Sequence, residues 1–229
     1  MRSRTRRNSP GQSFVEFCFV MLLAVPFLLI TIALGINLIE QLEVIQLSRD
    51  TASMYARNTD FTQAPSQAIL TQVGNGLGLT SSTSTSKAMV IMSELTYLDT
   101  NACATALVSG CTCGSNANNW VFAQYQVFPG AISGLATQSK YGNPSSLVTA
   151  SDPVIPICNT TTHNDYSTNG AALATGVSNL GITSWATTGS SGYGVPSGLG
   201  IYLVEVWAYG YPLPPLLPPP VQLYNYEVL

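Results

Sequence analysis

The sequence predicts an α+β protein: a long N-terminal helix, first a membrane span and then its exterior continuation, followed by a small antiparallel β-sheet domain with long irregular loops. Three observations carry this expectation. No charged residue occurs between Phe17 and Ile39. Past that run, apolar positions recur at alternating steps of four and three, the period of one helix face. Beyond Asp60 the composition shifts to Ser, Thr, Gly and Asn, interrupted by stretches rich in β-branched and aromatic residues.

The span comes first. Phe17 to Ile36 is apolar except for Pro26, Thr31 and Gly35, and roughly 20 such residues in a helix cover the ~30 Å hydrocarbon core of a bilayer. Arg2, Arg4, Arg6 and Arg7 precede it, while Glu40 and Glu43 follow, so the positive-inside rule puts the amino terminus in the cytoplasm and everything after Ile39 outside. A secretory signal peptide has a shorter apolar region, of roughly 7–15 residues, ending at a small-x-small site. Ala33-Leu34-Gly35 has that form, but the run here is longer and carries Pro26 near its middle.

Leu38, Leu42, Ile45, Arg49, Ala52 and Ala56 continue the pattern as one stripe, with Glu40, Glu43, Gln46 and Asp50 outside it. The helix is expected from about Ser13 to about Asn58, with Pro26 and Gly35 bending rather than ending it. A second short helix is predicted over Ser66 to Val73, stopped by Gly74. Gly74, Gly76 and Gly78 follow a helix rather than a strand and read as a turn, not a dinucleotide fingerprint. Ala88–Leu98, Trp120–Phe128 and Ile201–Tyr211 read as strands, and Val121, Ala123, Tyr125 and Val127 alternate with Gln124 and Gln126 as in a sheet with one wet face. About seventy residues between the last two strands show no period and imply hidden short strands or an extended surface loop. The closing proline-rich segment is expected to be extended chain laid across the domain. The organisation predicted is thus a basic leader (1–11), a transmembrane helix (12–36), its exterior continuation (37–60), an exported β-rich domain (61–211) and a proline-rich tail (212–229).

Charge excludes one class of partner. Only 8% of residues are charged, against roughly 25% in a typical soluble domain, and the chain after Gly11 holds four basic and eleven acidic residues, net −7. Nucleic acid is not an expected partner. Cys18 lies in the span as an inert thiol. Cys103, Cys111, Cys113 and Cys158 lie in the exported part, where disulfides persist. A Cys111–Cys113 bond has poor geometry, so the expected pairs join Cys103 to Cys111 or Cys113, and Cys158 to the other. A zinc site from these thiolates and His163 would match no common ligand spacing. His163 with Asp165 lacks a G-x-S-x-G elbow, and Glu94 and Glu205, each within a strand, have no spacing that makes them a catalytic pair. The reading is therefore of a protein that is not an enzyme, with no cofactor and no metal. An alternative is a tethered surface-binding module using Trp120, Tyr141, Tyr166, Trp185 and Tyr193, and a third, disfavoured, is a tethered exported enzyme.

One charge remains unexplained. Glu16 stands near the start of the apolar run, where a buried charge is costly. The basic leader, Gly11, Glu16 five positions on and the unbroken apolar helix together resemble the processing site of type IV prepilins. Within that superfamily "GQSFVEF", "LGINLIEQLEVIQLSRDTASMYARN" and "VEVWAYGYPLPPLL" are similar to the TadE-like group, minor pilins or pseudopilins of tight-adherence pilus systems. The resemblance rests on about 85 residues, mostly the first 60. It implies cleavage by a prepilin peptidase between Gly11 and Gln12, leaving Glu16 as fifth mature residue and register-setting partner of the new amine. It also implies residence in a bacterial inner membrane, with other pilin-like subunits and a pilus assembly platform as partners. Phe17 stands where such sites often carry tyrosine, and the exported part is larger than in small major pilins, which favours a minor, priming or tip-associated role.

Overall fold

The computed structural model describes residues 10–99, 114–135, 138–159, 161–180, 200–210 and 222–229, with the backbone alone for 10–13, 178 and 179. Helix α1 runs unbroken from Pro10 to Ala56, 47 residues that pass through Pro26, a rod of roughly 70 Å. The Thr31 hydroxyl donates to the Phe27 carbonyl (2.8 Å) and the Asn37 amide to that of Ala33 (2.9 Å). Polar side chains in the apolar half thus bond to their own helix, as a lipid setting requires. Asn58, with φ of 59°, turns the chain out of α1, and α2 (Ala64–Val73) follows with proline in its first turn. The glycine-rich segment after it is a turn, closed by Gly78 at φ 70°, a conformation glycine adopts without Cβ strain.

Four strands, β1 (Ala88–Leu98), β2 (Asn119–Phe128), β3 (Gly200–Tyr209) and β4 (Gln222–Val228), form one sheet in the order β2-β1-β3-β4. Every neighbouring pair is antiparallel. Strand β4 comes from the end of the segment read as a proline-rich tail: past the last proline, nothing forbids ladder hydrogen bonds and the chain rejoins the sheet.

Both sheet faces are covered. Val44, Leu47, Ala52 and Tyr55 of α1 pack with Phe61, Leu70 and Leu79 onto Ala88, Val90, Met92, Val204 and Val206. On the opposite face Met89, Ile91, Leu95, Leu203 and Trp207 lie under Ile132, Leu135, Tyr141, Ile155 and Val177. The described part of the irregular stretch, up to residue 180, is therefore a second core layer, and this explains why β1 and β3 read as nearly continuous apolar runs.

Two expectations are corrected. The docked face of α1 is Val44, Leu47, Ser48, Thr51, Ala52 and Tyr55, still at steps of three and four. Of the predicted stripe only Ala52 is buried, while Leu38 and Leu42 are 67% and 61% exposed. Small polar Ser48 and Thr51 conceal the true face: Ser48 Oγ accepts from the Asn225 amide (2.6 Å) and donates to its own helix (2.9 Å). Second, β2 has no wet face. Its register against β1 shifts between Glu94 and Leu95, so that Ala123 is an extra residue; this bulge turns Phe122 and Tyr125 onto one face, in edge-to-face contact at 5.8 Å. Gln126 is buried and Gln124 accepts the Tyr55 hydroxyl (2.9 Å).

Leu47→Ala is expected to lower the unfolding free energy by about 2–5 kcal/mol. Arg49→Ala, which removes a solvent-exposed pair with Glu227 (3.6 Å), should change it by less than about 1 kcal/mol. Denaturant titration of the detergent-solubilised chain, followed by tryptophan fluorescence, measures both.

Candidate functional site

The amino-terminal half of α1 presents apolar side chains on every side. Phe14, Phe19, Leu22, Phe27 and Leu38 are each at least 66% exposed, and the helix is long and apolar enough to cross a membrane. Helix α1 already includes Gly11 and Gln12 in its first turn. Glu16 and Phe17 are exposed one turn further along. Residues four apart share a helix face, so Gln12 and Glu16 lie one above the other. Cys18 is a free, exposed thiol among these apolar groups. The arginines of residues 1–9 lie outside the described residues.

The sheet domain places the remaining candidates apart from one another. Glu94 pairs across the sheet with Tyr202, on the face toward α1, whereas Glu205 pairs with Ile91 and Tyr226 on the face under the loops. The sheet separates the two carboxylates. Glu205 is fully buried. Its Oε1 accepts from the Lys140 backbone N–H (3.1 Å) and the Tyr224 hydroxyl (3.0 Å), and the Lys140 ammonium sits 3.3 Å from the Tyr224 ring centroid and 5.1 Å from that of Trp207. Burial raises the Glu205 pKa against the opposing pull of these hydrogen bonds and of Lys140. Burial and the nearby carboxylate likewise push the Tyr224 hydroxyl up, and the Tyr125 hydroxyl rises to about 12, mainly through burial. This arrangement clamps the 139–142 turn onto β3 and β4. Sequence reasoning missed it, because only the three-dimensional register brings Lys140 to Glu205.

His163 is exposed, at φ 52°. Asp165 is buried and accepts from the Asn159 and Thr168 N–H groups and the Ser167 and Thr168 hydroxyls. Although desolvation pushes its pKa up, these bonds hold it below the usual range. The carboxylate organises its own loop. Cys158 is disulfide-bonded; Cys103, Cys111 and Cys113, like Trp185 and Tyr193, lie outside the described residues. A cleft of about 340 Å³ opens at the far end of α1, lined by Tyr55, Asp60, Gln124, Asp152 and Tyr202 among others. Its polar groups are largely engaged internally: Tyr55 donates to Gln124, and Asp60 accepts from Thr62 and Gln63. Among the described residues no cluster of three or more His, Cys, Asp or Glu is positioned to hold a metal ion.

Comparison of the chain with protein-family models, with characterised proteins and with solved structures finds no match.

Two outcomes follow from these groups. A carboxyl whose folded pKa is raised binds its proton more tightly when folded, so its contribution is fully present below about pH 4.3 and declines as pH rises through the shifted value. Asp165 has the opposite sign, its contribution being lost as pH falls below about 3.9. Glu205→Gln should therefore flatten the decline in stability as pH rises above about 4.3, measured by denaturation at each pH; equal slopes in variant and wild type would refute the assignment. Opening the bridge with Cys158→Ser should cost about 2–4 kcal/mol, and dithiothreitol applied to the wild type should reproduce the loss.

Proposed function

We propose that the chain is a membrane-anchored, pilin-like structural subunit, cut by a prepilin peptidase between Gly11 and Gln12. It joins a tight-adherence type pilus or its assembly platform as a minor component. The observation that carries this reading is one continuous helix with two surfaces: an apolar half exposed on all sides and a second half docked on a small antiparallel sheet. Glu16 stands in the apolar half, five positions after Gly11.

The chemistry explains the carboxylate. Cutting the Gly11–Gln12 bond creates an α-amino group at Gln12, and a cation at the membrane boundary needs a partner when helices bundle. A carboxylate four residues further along the same face supplies one to its own chain or to a neighbour staggered by about a turn. Such a pair fixes register more than it adds stability. The arginine-rich leader stays cytoplasmic and the sheet domain outside. The role is structural rather than catalytic, in keeping with Glu94 and Glu205 on opposite sheet faces and Asp165 engaged in its own loop.

Mass spectrometry of the protein from cells that contain the peptidase should find a chain beginning at Gln12, and Glu16→Leu should abolish incorporation into pili. An intact Met1 terminus, or normal piliation with Glu16→Leu, would overturn the reading.

A further inference from the structure

The two edges of the sheet differ. Strand β2 is guarded by its own chain: Tyr125 N–H donates to the Pro153 carbonyl (2.9 Å), Ile155 N–H to that of Ala123 (2.8 Å) and Ala174 N–H to that of Trp120 (2.9 Å). On the other side, Tyr202 and Leu229 exchange both backbone bonds (3.0 and 2.9 Å). In an antiparallel ladder such pairs alternate, so by the β3–β4 register Glu227, Asn225 and Leu223 also bond inward. The amides and carbonyls of Tyr224, Tyr226 and Val228 therefore point outward, and among the described residues nothing bonds to them.

Edges of this kind are usually blunted by Pro, Lys or a bulge. Strand β4, QLYNYEV, has none of these, and its one charge, Glu227, is turned to Arg49 on the helix side. The strand is also held straight: β3 pairs along it, Ser48 accepts from Asn225, and the Tyr224 hydroxyl bonds Glu205.

Geometry selects the occupant. The end of α1 near Glu40 lies by Tyr209, with which it lines one cleft, and Tyr55 lies by Tyr202 at 5.2 Å between ring centroids. Helix α1 thus runs antiparallel to β3 and parallel to β4. Two copies joined β4 to β4 in antiparallel fashion are related by a two-fold axis normal to the sheet, which sends their apolar helices out of opposite ends. Chains anchored in one membrane do not meet this way; a parallel β4–β4 pair would need a two-fold axis along the strands, which sets N–H against N–H and C=O against C=O; and the β2 edge of a second copy is already covered among the described residues.

We infer that the outer edge of β4 accepts an extended strand from a different subunit anchored in the same membrane, adding a fifth strand to the sheet. This rests on the reading that α1 spans a membrane. The incoming strand carries β-branched or aromatic residues opposite Tyr224, Tyr226 and Val228, and basic or neutral polar residues opposite Asn225 and Glu227, complementing an exported part of net negative charge. Backbone bonds supply affinity and the alternating side chains selectivity.

Amide hydrogen exchange on the detergent-solubilised full chain tests the edge, with the peptide acetyl-Val-Lys-Val-Lys-Val-amide as probe. Saturating peptide should slow exchange at Tyr224, Tyr226 and Val228 by about ten-fold or more, and a version N-methylated at every residue should not. Tyr226→Pro removes an outward N–H together with the ring that meets Tyr141 and Tyr224, so it is compared with Tyr226→Ala, which should keep the peptide effect that Tyr226→Pro loses. Outward amides already as protected as those of Asn225 and Glu227, or unaffected by peptide, would overturn the open edge. A separate arm tests the occupant without touching the membrane reading: in lipid nanodiscs holding two chains, the Tyr226→Cys variant on a Cys18→Ser background should form no intermolecular disulfide. An efficiently formed one would overturn the choice of a different subunit.

Discussion

The structure depends on one constraint: a single unbroken helix, long and apolar enough in its first half to cross a membrane, is in its second half the spine of a folded domain. In its apolar half every backbone group has to be bonded within the helix, because lipid offers no partner. The unbroken ladder from Pro10 to Ala56 and the local bonds of Thr31 and Asn37 meet that demand. In its second half the same rod becomes the spine of a soluble domain. Ser48 meets Asn225, Arg49 meets Glu227 and Tyr55 meets Gln124, three contacts that take the helix obliquely from β4 toward β2. The orientation of the sheet relative to the apolar half of α1 is thereby fixed through the helix.

A helix covers only a strip of a four-stranded sheet, and the other face needs its own cover. Here irregular chain does the work of a second layer. An irregular layer cannot satisfy its backbone through a regular ladder, so it relies on isolated bridges to β2, on the Asp165 carboxylate gathering four donors, and on Glu205. A buried carboxylate is a weak source of net stability but a strong source of specificity. Glu205 accepts bonds from the 139–142 turn and from β4 together, so it fixes how the loop layer sits against the last strand.

Much of the architecture was legible in the sequence, because burial on both faces or in lipid writes a strong pattern. Strand β1 runs from Ala88 to Leu98 as expected, β2 and β3 differ only at their ends, and α1 and α2 lie where periodicity and glycine place them. The failures have physical causes. Ser48 and Thr51 pack well against a sheet while scoring as polar, so the docked face of α1 was read a fraction of a turn away. The Ala123 bulge breaks the two-residue period of β2 in midstrand, and the prolines before Gln222 masked the onset of β4. At the candidate site, Gly11 and Glu16 stand out in the sequence because a carboxylate within an apolar run is costly when buried. Glu205 was invisible as a clamp because its partners are 65 and 19 residues away.

Anchoring and edge geometry together restrict how such a subunit assembles. A sheet that grows by adding identical copies needs two open edges, and among the described residues this one offers β4 alone, with β2 closed by the 153–155 and 173–174 segments. Parallel copies in one membrane therefore do not build a continuous sheet. Repetition is left to the exposed apolar surface of α1, where side chains on all sides allow neighbours at any angle. The two surfaces then divide the labour: the helix supplies undirected packing in lipid, and the β4 edge supplies a single directed contact outside. A subunit with one directed contact terminates or pairs rather than repeats, which is what the proposed role of a minor component would require.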